Sequence, residues 1–157
     1  GMALAARLDG SNRRTFVLLG DGELQEGSNW EAFMTASHQK LANLVALVDR
    51  NRLRQGARVA DTNDLEPLAD KLRAFGWEVV EVDGNDVGAL LDAYAAVPAA
   101  SGKPTFVLAH TDKGFPVSYM RDNVAWHHKV PSAEQVAQAL TELDEILDSI
   151  EAEGESA

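Results

Sequence analysis

A chain of 157 residues, 45% hydrophobic and 25% charged, suits one domain with a sizeable buried core. It contains no cysteine, which excludes disulfide staples, thiolate metal sites and cysteine nucleophiles, and its formal charge of −11 argues against general nucleic-acid binding. It has no apolar run of about twenty residues and no basic, apolar leader, so no membrane partner is expected and a cytoplasmic location follows by default.

Residues 2 to 8 are rich in Ala and Leu and read as a helix, with Asp9 to Asn12 as the turn into a first strand over Thr15 to Leu19. Ser28-Asn-Trp-Glu31 is a capping-box pattern that predicts a helix from Ser28 to about Leu41, with Trp30, Phe33, Met34 and Ser37 at helical spacing. A second strand is expected over Asn43 to Val48. Both apolar runs, bounded by Gly or Asp, read as interior strands of a parallel sheet buried on both faces. From Arg50 to Asn63 the polar sequence reads as a loop at the sheet's carboxyl edge, in which Arg50, Arg52, Arg54 and Arg58 are taken as solvated charge.

Asp64 is placed to cap a helix whose Leu65, Leu68, Ala69, Leu72 and Phe75 form one stripe, with Gly76 at its end. Trp77 to Val82 reads as a third strand, Asp86 as the cap of a helix through Tyr94, and Thr105 to Ala109 as a fourth strand. His110 to Pro131 shows no period, and an aperiodic connection of that length is often functional. Ser132 and Gln135 form a second capping box, followed by Val136, Leu140, Leu143, Ile146, Leu147 and Ile150, a stripe expected to pack on the domain's own sheet before an acidic tail over residues 151–157. From Ser132 onward there are eight acids and no Lys or Arg; the remainder carries 17 acids and 14 bases. The alternation of strands and helices predicts a parallel α/β sheet.

A right-handed crossover through the first long helix sets the carboxyl ends of the first two strands side by side, where open parallel sheets bind ligands. Asp21 offers a carboxylate oxygen, Asn51 an amide oxygen and Leu53 a peptide carbonyl. A partial oxygen set of this kind suits magnesium, whose octahedron is completed by phosphate oxygens and water. Gly20 and Gly22 carry no side chain and admit a diphosphate close to the backbone. The residues themselves thus point to a magnesium diphosphate site.

Gly20-Asp21-Gly22, followed by Asn51 thirty residues after Asp21, resembles the thiamine diphosphate fingerprint of transketolases, decarboxylases and ketoacid dehydrogenases. Glu26-Gly-Ser-Asn-Trp-Glu-Ala32, Asp112-Lys-Gly114 and Val124-Ala-Trp-His-His-Lys-Val-Pro131 are similar to the transketolase version. The resemblance implies a three-layer α/β/α thiamine diphosphate-binding fold over residues 1–157, forming a single diphosphate-binding domain that is partial relative to the family. It implies thiamine diphosphate and Mg2+ as cofactors, with Gly20, Asp21, Gly22, Asn51 and His127 contacting the cofactor and Asp21, Asn51 and Leu53 the metal. His127 matches a loop histidine on the diphosphate and substrate side, and Glu26 a carboxylate in a network between subunits; both are taken as catalytic candidates.

Arg50 departs from the family, standing where many relatives have Asp or Asn, and His128 replaces the usual Gly. The activity implied is transfer of a two-carbon ketol unit between sugar phosphates by an oligomer, with a partner subunit carrying the pyrimidine-binding domain. A deoxyxylulose phosphate synthase-like or ketoacid dehydrogenase-like subunit, or a truncated noncatalytic assembly module, stands as the alternative; for the last helix, which in the resembled family leads toward the next domain, a subunit contact is the alternative to packing on its own sheet.

Overall fold

The computed structural model describes residues 1–154. The last three residues of the expected acidic tail lie outside them. Four parallel strands form the sheet: β1 (Thr15–Gly20), β2 (Leu44–Arg50), β5 (Glu78–Asp83) and β6 (Thr105–His110), in the order β1-β2-β6-β5. A two-stranded antiparallel hairpin, β3 (Leu53–Arg54) with β4 (Ala57–Arg58), and a single turn of helix, α3 (Val59–Thr62), occupy the stretch read as an irregular loop. The other helices are α1 (Met2–Leu8), α2 (Gly27–His38), α4 (Leu68–Ala74), α5 (Val87–Ala95) and α6 (Ala133–Gly154). No helix among the described residues is long and apolar enough to cross a membrane.

Strand alternation sorts side chains onto two faces. On one face, Leu19, Ala46, Val48, Phe106 and Leu108 meet Ala3 of α1, Phe33 and Ala36 of α2, and Leu68 and Leu72 of α4. On the other, Val45 and Val107 meet Ala93 of α5 and the adjacent Val97. Helices therefore lie on both faces, and the fold is a three-layer α/β/α domain.

The larger core centres on aromatic edges. Phe33, Trp77 and Phe106 stack mutually edge-to-face with centroids 5.1 to 5.6 Å apart, and the buried Trp77 indole donates to the Phe33 carbonyl at 3.0 Å. Gly76 permits this junction: at φ +89° it adopts a backbone that side chains avoid, and a Cβ there would lie 2.3 Å from Ser37 Oγ. Trp77→Ala is expected to cost about 3 to 5 kcal/mol of unfolding free energy, from the cavity and the orphaned carbonyl. Urea unfolding measures it, and a loss under about 1 kcal/mol would show that this cluster is not the packed centre.

Local signals held at several ends. Asp86 accepts the Ala89 N–H at 3.1 Å, and the second capping box forms reciprocally, with Ser132 N–H donating to Gln135 Oε1 at 3.0 Å and Gln135 N–H to Ser132 Oγ at 3.3 Å. The first capping box does not form. A 3₁₀ turn over Glu23–Gln25 leads the chain straight into α2, so Glu26 is the cap residue and Ser28 already lies inside the helix. Asn29 and Trp30 instead tie back to the carbonyls of Glu23 and Leu24, at 2.7 and 2.8 Å. The helix assigned to Asp64 begins later, at Leu68, whose N–H is capped by the Glu66 carboxylate at 2.9 Å.

Two expectations about burial are corrected. β2 is interior, but β1 is an edge strand among the described residues; Phe16 and Leu18 are 51% and 69% exposed. Its apolar run has the composition of a buried strand, yet Phe16 stays half exposed even with Tyr94 of α5 against it at a centroid distance of 5.7 Å. The stripe of α6 does not pack on the sheet either: Val136, Leu140, Leu143, Ile146, Leu147 and Ile150 are all exposed.

Candidate cofactor and metal site

The crossover through α2 brings the ends of β1 and β2 together as the sequence predicts. Asp21 follows β1 and is 1% exposed. Its Oδ2 accepts the Arg52 N–H at 2.5 Å and the Arg50 guanidinium at 2.8 Å, while no hydrogen bond reaches its Oδ1 among the described residues. Arg52 has a left-handed φ of +65°, uncommon for a side chain of its size and typical of places where function demands a strained turn.

Asn51 is held on both sides: its amide donates to Asp49 Oδ2 at 2.9 Å, and its Oδ1 accepts the Leu53 N–H at 2.9 Å. Asp49 also accepts the Thr111 hydroxyl, which links the end of β2 to the residue after β6. These bonds orient the amide oxygen of Asn51 and fix the turn that carries the Leu53 carbonyl.

Gly20, Asp21, Gly22, Asn51, Leu53 and His127 line one cavity of about 330 Å³, together with Glu23, Asp49, Arg54, Gln55 and Lys113. A Cβ on Gly20 would meet nothing within 4 Å, so open space lies against that backbone; one on Gly22 would crowd Arg54 Cβ at 3.2 Å. Along the same sheet edge a second cavity of about 520 Å³ opens beside Arg52, His110, Asp112 and Arg121.

Arg50 departs from its reading as solvated charge. It is 5% exposed, and its guanidinium bridges Asp21 and, at 2.5 Å, Glu66. The hydrogen bond from Arg50, followed by that from the Leu68 N–H, holds the Glu66 carboxyl below the usual carboxylate range. Arg54 is partly buried against Gln25 at 2.7 Å, and Arg58 reaches across to Asp122 at 2.9 Å, fastening the hairpin to the aperiodic loop. Arg52 is exposed, as expected.

That loop, irregular except for a 3₁₀ turn at Val124–Trp126, carries His127 into the cavity. Tyr119 and Trp126 pack with rings 5.0 Å apart. The His127 Nδ1 is buried with no hydrogen-bond partner among the described residues. Burial, followed by the charges of Lys113 and His128, lowers the pKa of His127 from its ordinary value. The neutral ring is therefore favoured at pH 7. In the uncomplexed protein its NMR titration midpoint is expected below about 6.5. Because the unfolded chain then binds the extra proton first, stability falls as pH drops below that value, and His127→Gln removes this part of the acid sensitivity. A midpoint at or above 6.5 would contradict the preference for the neutral ring.

Glu26 is not brought into the cavity; it stands exposed at the start of α2. Glu23, three residues earlier, is the carboxylate that sequence reasoning passes over: it lines the cavity and accepts the Gly20 N–H at 3.1 Å. Lys113 stands out in the sequence only as part of a motif, and its place beside His127 becomes visible when the loop folds back over the strand ends.

The donors present fit a hard divalent cation. They are oxygens only, they line one cavity, and Asp21 Oδ1 is free to bind while Oδ2 keeps Arg50. Among the described residues no group of three His, Cys, Asp or Glu side chains gathers as a self-sufficient metal site. The shell offered here is one carboxylate plus neutral oxygens, which requires further oxygens from phosphate or water.

The sequence and the fold recur in known proteins. Residues 6–145 match the family model described as transketolase, thiamine diphosphate binding domain. The chain is 41% identical over 153 residues to an apulose-4-phosphate transketolase subunit of Phocaeicola vulgatus, covering 98% of this chain and 54% of that protein. It is 45% identical over 143 residues to the subunit of the same name from Actinobacillus succinogenes, covering 91% and 51%. The chain thus spans about half the length of these curated relatives. The structure of transketolase from Campylobacter jejuni superposes with a TM-score of 0.80 at 25% identity, covering 89% of this chain and 22% of that one. The chain belongs to the transketolase family and corresponds to its thiamine diphosphate-binding domain.

Proposed function

We propose that this chain is the diphosphate-binding part of a transketolase-like transferase that moves a two-carbon ketol unit between sugar phosphates, using thiamine diphosphate and Mg2+. One observation carries the reading: a single cavity at the carboxyl edge of the sheet gathers Gly20, Asp21, Gly22, Asn51, Leu53 and His127. Asp21 Oδ1, Asn51 Oδ1 and the Leu53 carbonyl would hold the cation. The open space against the Gly20 backbone leaves room for the diphosphate, the absence of a side chain at Gly22 avoids a clash with Arg54, and Lys113 adds positive charge to the same cavity. The cavity's carboxylates, Asp21, Glu23 and Asp49, are at most balanced by Arg54, Lys113 and the Arg50 paired with Asp21, so a cation bound with the diphosphate would supply the positive charge that the lining lacks.

When bound, thiamine diphosphate supplies the electron sink for breaking and making the carbon–carbon bond. The chain's residues anchor and orient it. His127, which lines the cavity and is favoured in its neutral form, would offer a ring N–H to an anionic oxygen at the mouth of the site. Glu26, exposed at the amino end of α2 and outside this cavity's lining, suits a carboxylate contact between subunits. The aminopyrimidine end of the cofactor is assigned to a partner chain, a reading supported by the names of the two relatives above, each of which denotes one subunit of a transketolase.

The test is ketol transfer from a ketose phosphate to an aldose phosphate, assayed for this chain, for a chain carrying the pyrimidine-binding domain, and for their mixture. Turnover is expected from the mixture alone. Robust turnover by this chain alone would refute the half-site reading, and a mixture inactive across many sugars would favour a noncatalytic assembly module.

A further inference from the structure

α6 leaves the body of the domain as a single rod of 22 residues, about 33 Å long at 1.5 Å per residue. Among the described residues, side-chain hydrogen bonds fasten it only along its first half. The Tyr119 hydroxyl donates to the Gln135 carbonyl at 2.7 Å, and the Ser118 N–H and hydroxyl donate to the Glu142 carboxylate at 2.7 and 2.6 Å. Beyond Glu142 it carries Leu143, Ile146, Leu147 and Ile150 outward, all exposed.

Val136, Leu140, Leu143, Leu147 and Ile150 recur at alternating intervals of four and three residues. That mean period of 3.5 describes a seam between paired helices, with Leu140 and Leu147 in one core position and Val136, Leu143 and Ile150 in the other. A solitary helix is of marginal stability in water, and a continuous apolar stripe of this length on a domain surface marks a contact site.

Charge selects the occupant. α6 has no Lys or Arg, and Asp144 and Glu151, seven residues apart, flank the seam on the same side. Pairing with α6 of a second copy would place an all-acidic helix against another, which disfavours that arrangement. We propose that α6 is a docking helix that packs into an apolar seam flanked by Lys and Arg on the complementary chain. The identity of that partner rests on the function proposed above, whereas the surface and its chemistry rest on α6 alone.

The experiment uses the full chain and the complementary chain bearing the pyrimidine-binding domain. Leu140→Glu combined with Leu147→Glu changes only exposed positions and keeps good helix formers, so the free chain should retain its fold by circular dichroism. Affinity between the chains, measured by analytical ultracentrifugation, should fall on the order of 100-fold. Asp144→Lys with Glu151→Lys should weaken it less and flatten its salt dependence. Amides of α6 should exchange quickly in the free chain and be protected in the complex.

Unchanged affinity of the stripe variant, or failure of the unmodified chains to associate, would overturn the docking role. Self-association of this chain that the stripe variant abolishes would assign the seam to a second copy and overturn it too. Association lost in the stripe variant, combined with no ketol transfer by the unmodified complex, would leave the docking role standing and sink the proposed function. Ketol transfer with association unaffected by the variant would do the reverse.

Discussion

Replacing Asp21 with Ala is expected to weaken Mg2+-dependent binding of thiamine diphosphate to the assembled protein by on the order of 100-fold or more. The scale follows from metal sites in which removal of even an outer-shell partner costs 10- to 100-fold in metal affinity. Asp21 is the one carboxylate among the three proposed protein ligands, and a hard cation depends most on that charge. The variant also deprives the Arg50 guanidinium of its buried partner, so a loss of binding could reflect a disturbed site. Asp21→Asn separates the two effects: the amide oxygen can still accept from Arg50 and from the Arg52 N–H, but the negative charge is gone. Calorimetry of cofactor binding at several Mg2+ concentrations should show both variants impaired. Affinities equal to that of the parent would sink the metal assignment.

The second large effect is expected from Arg50→Met, which keeps much of the side-chain volume and removes the charge. Asp21 is 1% exposed and Arg50 5%, so the variant leaves a buried carboxylate supported only by the Arg52 N–H. Removing one partner of a buried pair typically costs about 3 to 5 kcal/mol. The Glu66 half of the bridge adds little, because that side chain is 56% exposed and such pairs contribute about 0 to 1 kcal/mol. Urea unfolding without divalent ions should show the full loss, and saturating Mg2+ should recover part of it by restoring a positive charge beside Asp21. A loss under about 1 kcal/mol would show that the Arg50 to Asp21 pair does not form in solution.

The pair also has a pH signature. The Glu66 carboxyl titrates lower in the folded chain than in the unfolded one, so its contribution is complete above about pH 4.3 and is lost as the pH falls through the folded value. Arg50 does not titrate in this range, so no opposing change arises from it.

Arg50 has a bearing on the site beyond stability. It holds Asp21 Oδ2 while Oδ1 remains available, which presents the carboxylate to the cavity through one oxygen. At the same time its charge stands beside the proposed cation position and would oppose a second positive charge there. The affinity for Mg2+ in the absence of a diphosphate should accordingly be low, with cation and cofactor binding together.

What the sequence by itself determined is what local chemistry determines. Gly20-Asp21-Gly22 and Asn51 were readable because each follows an apolar run, and the handedness of a strand-helix-strand crossover decides that two such ends meet. The Ser132 and Gln135 box and the Asp86 cap formed as read, since a cap bond spans only three residues. The same pattern at Ser28 and Glu31 failed because the preceding turn at Glu23–Gln25 had already set the helix entry, and a short-range bond yields when its neighbours take another course.

Tertiary structure alone decided the rest. Arg50 meets Asp21 across 29 positions and Glu66 across 16, and no local signal separates a buried arginine from the exposed Arg52 two residues later. Lys113 and His127 reach the cavity only because the aperiodic loop folds back to it. The continuous run of β1 and the periodic stripe of α6 showed that both are apolar, but burial depends on what lies opposite. Neither Leu18 nor the α6 stripe is covered within the described residues, because an apolar pattern records the need for a neighbour and leaves its source to the folded assembly.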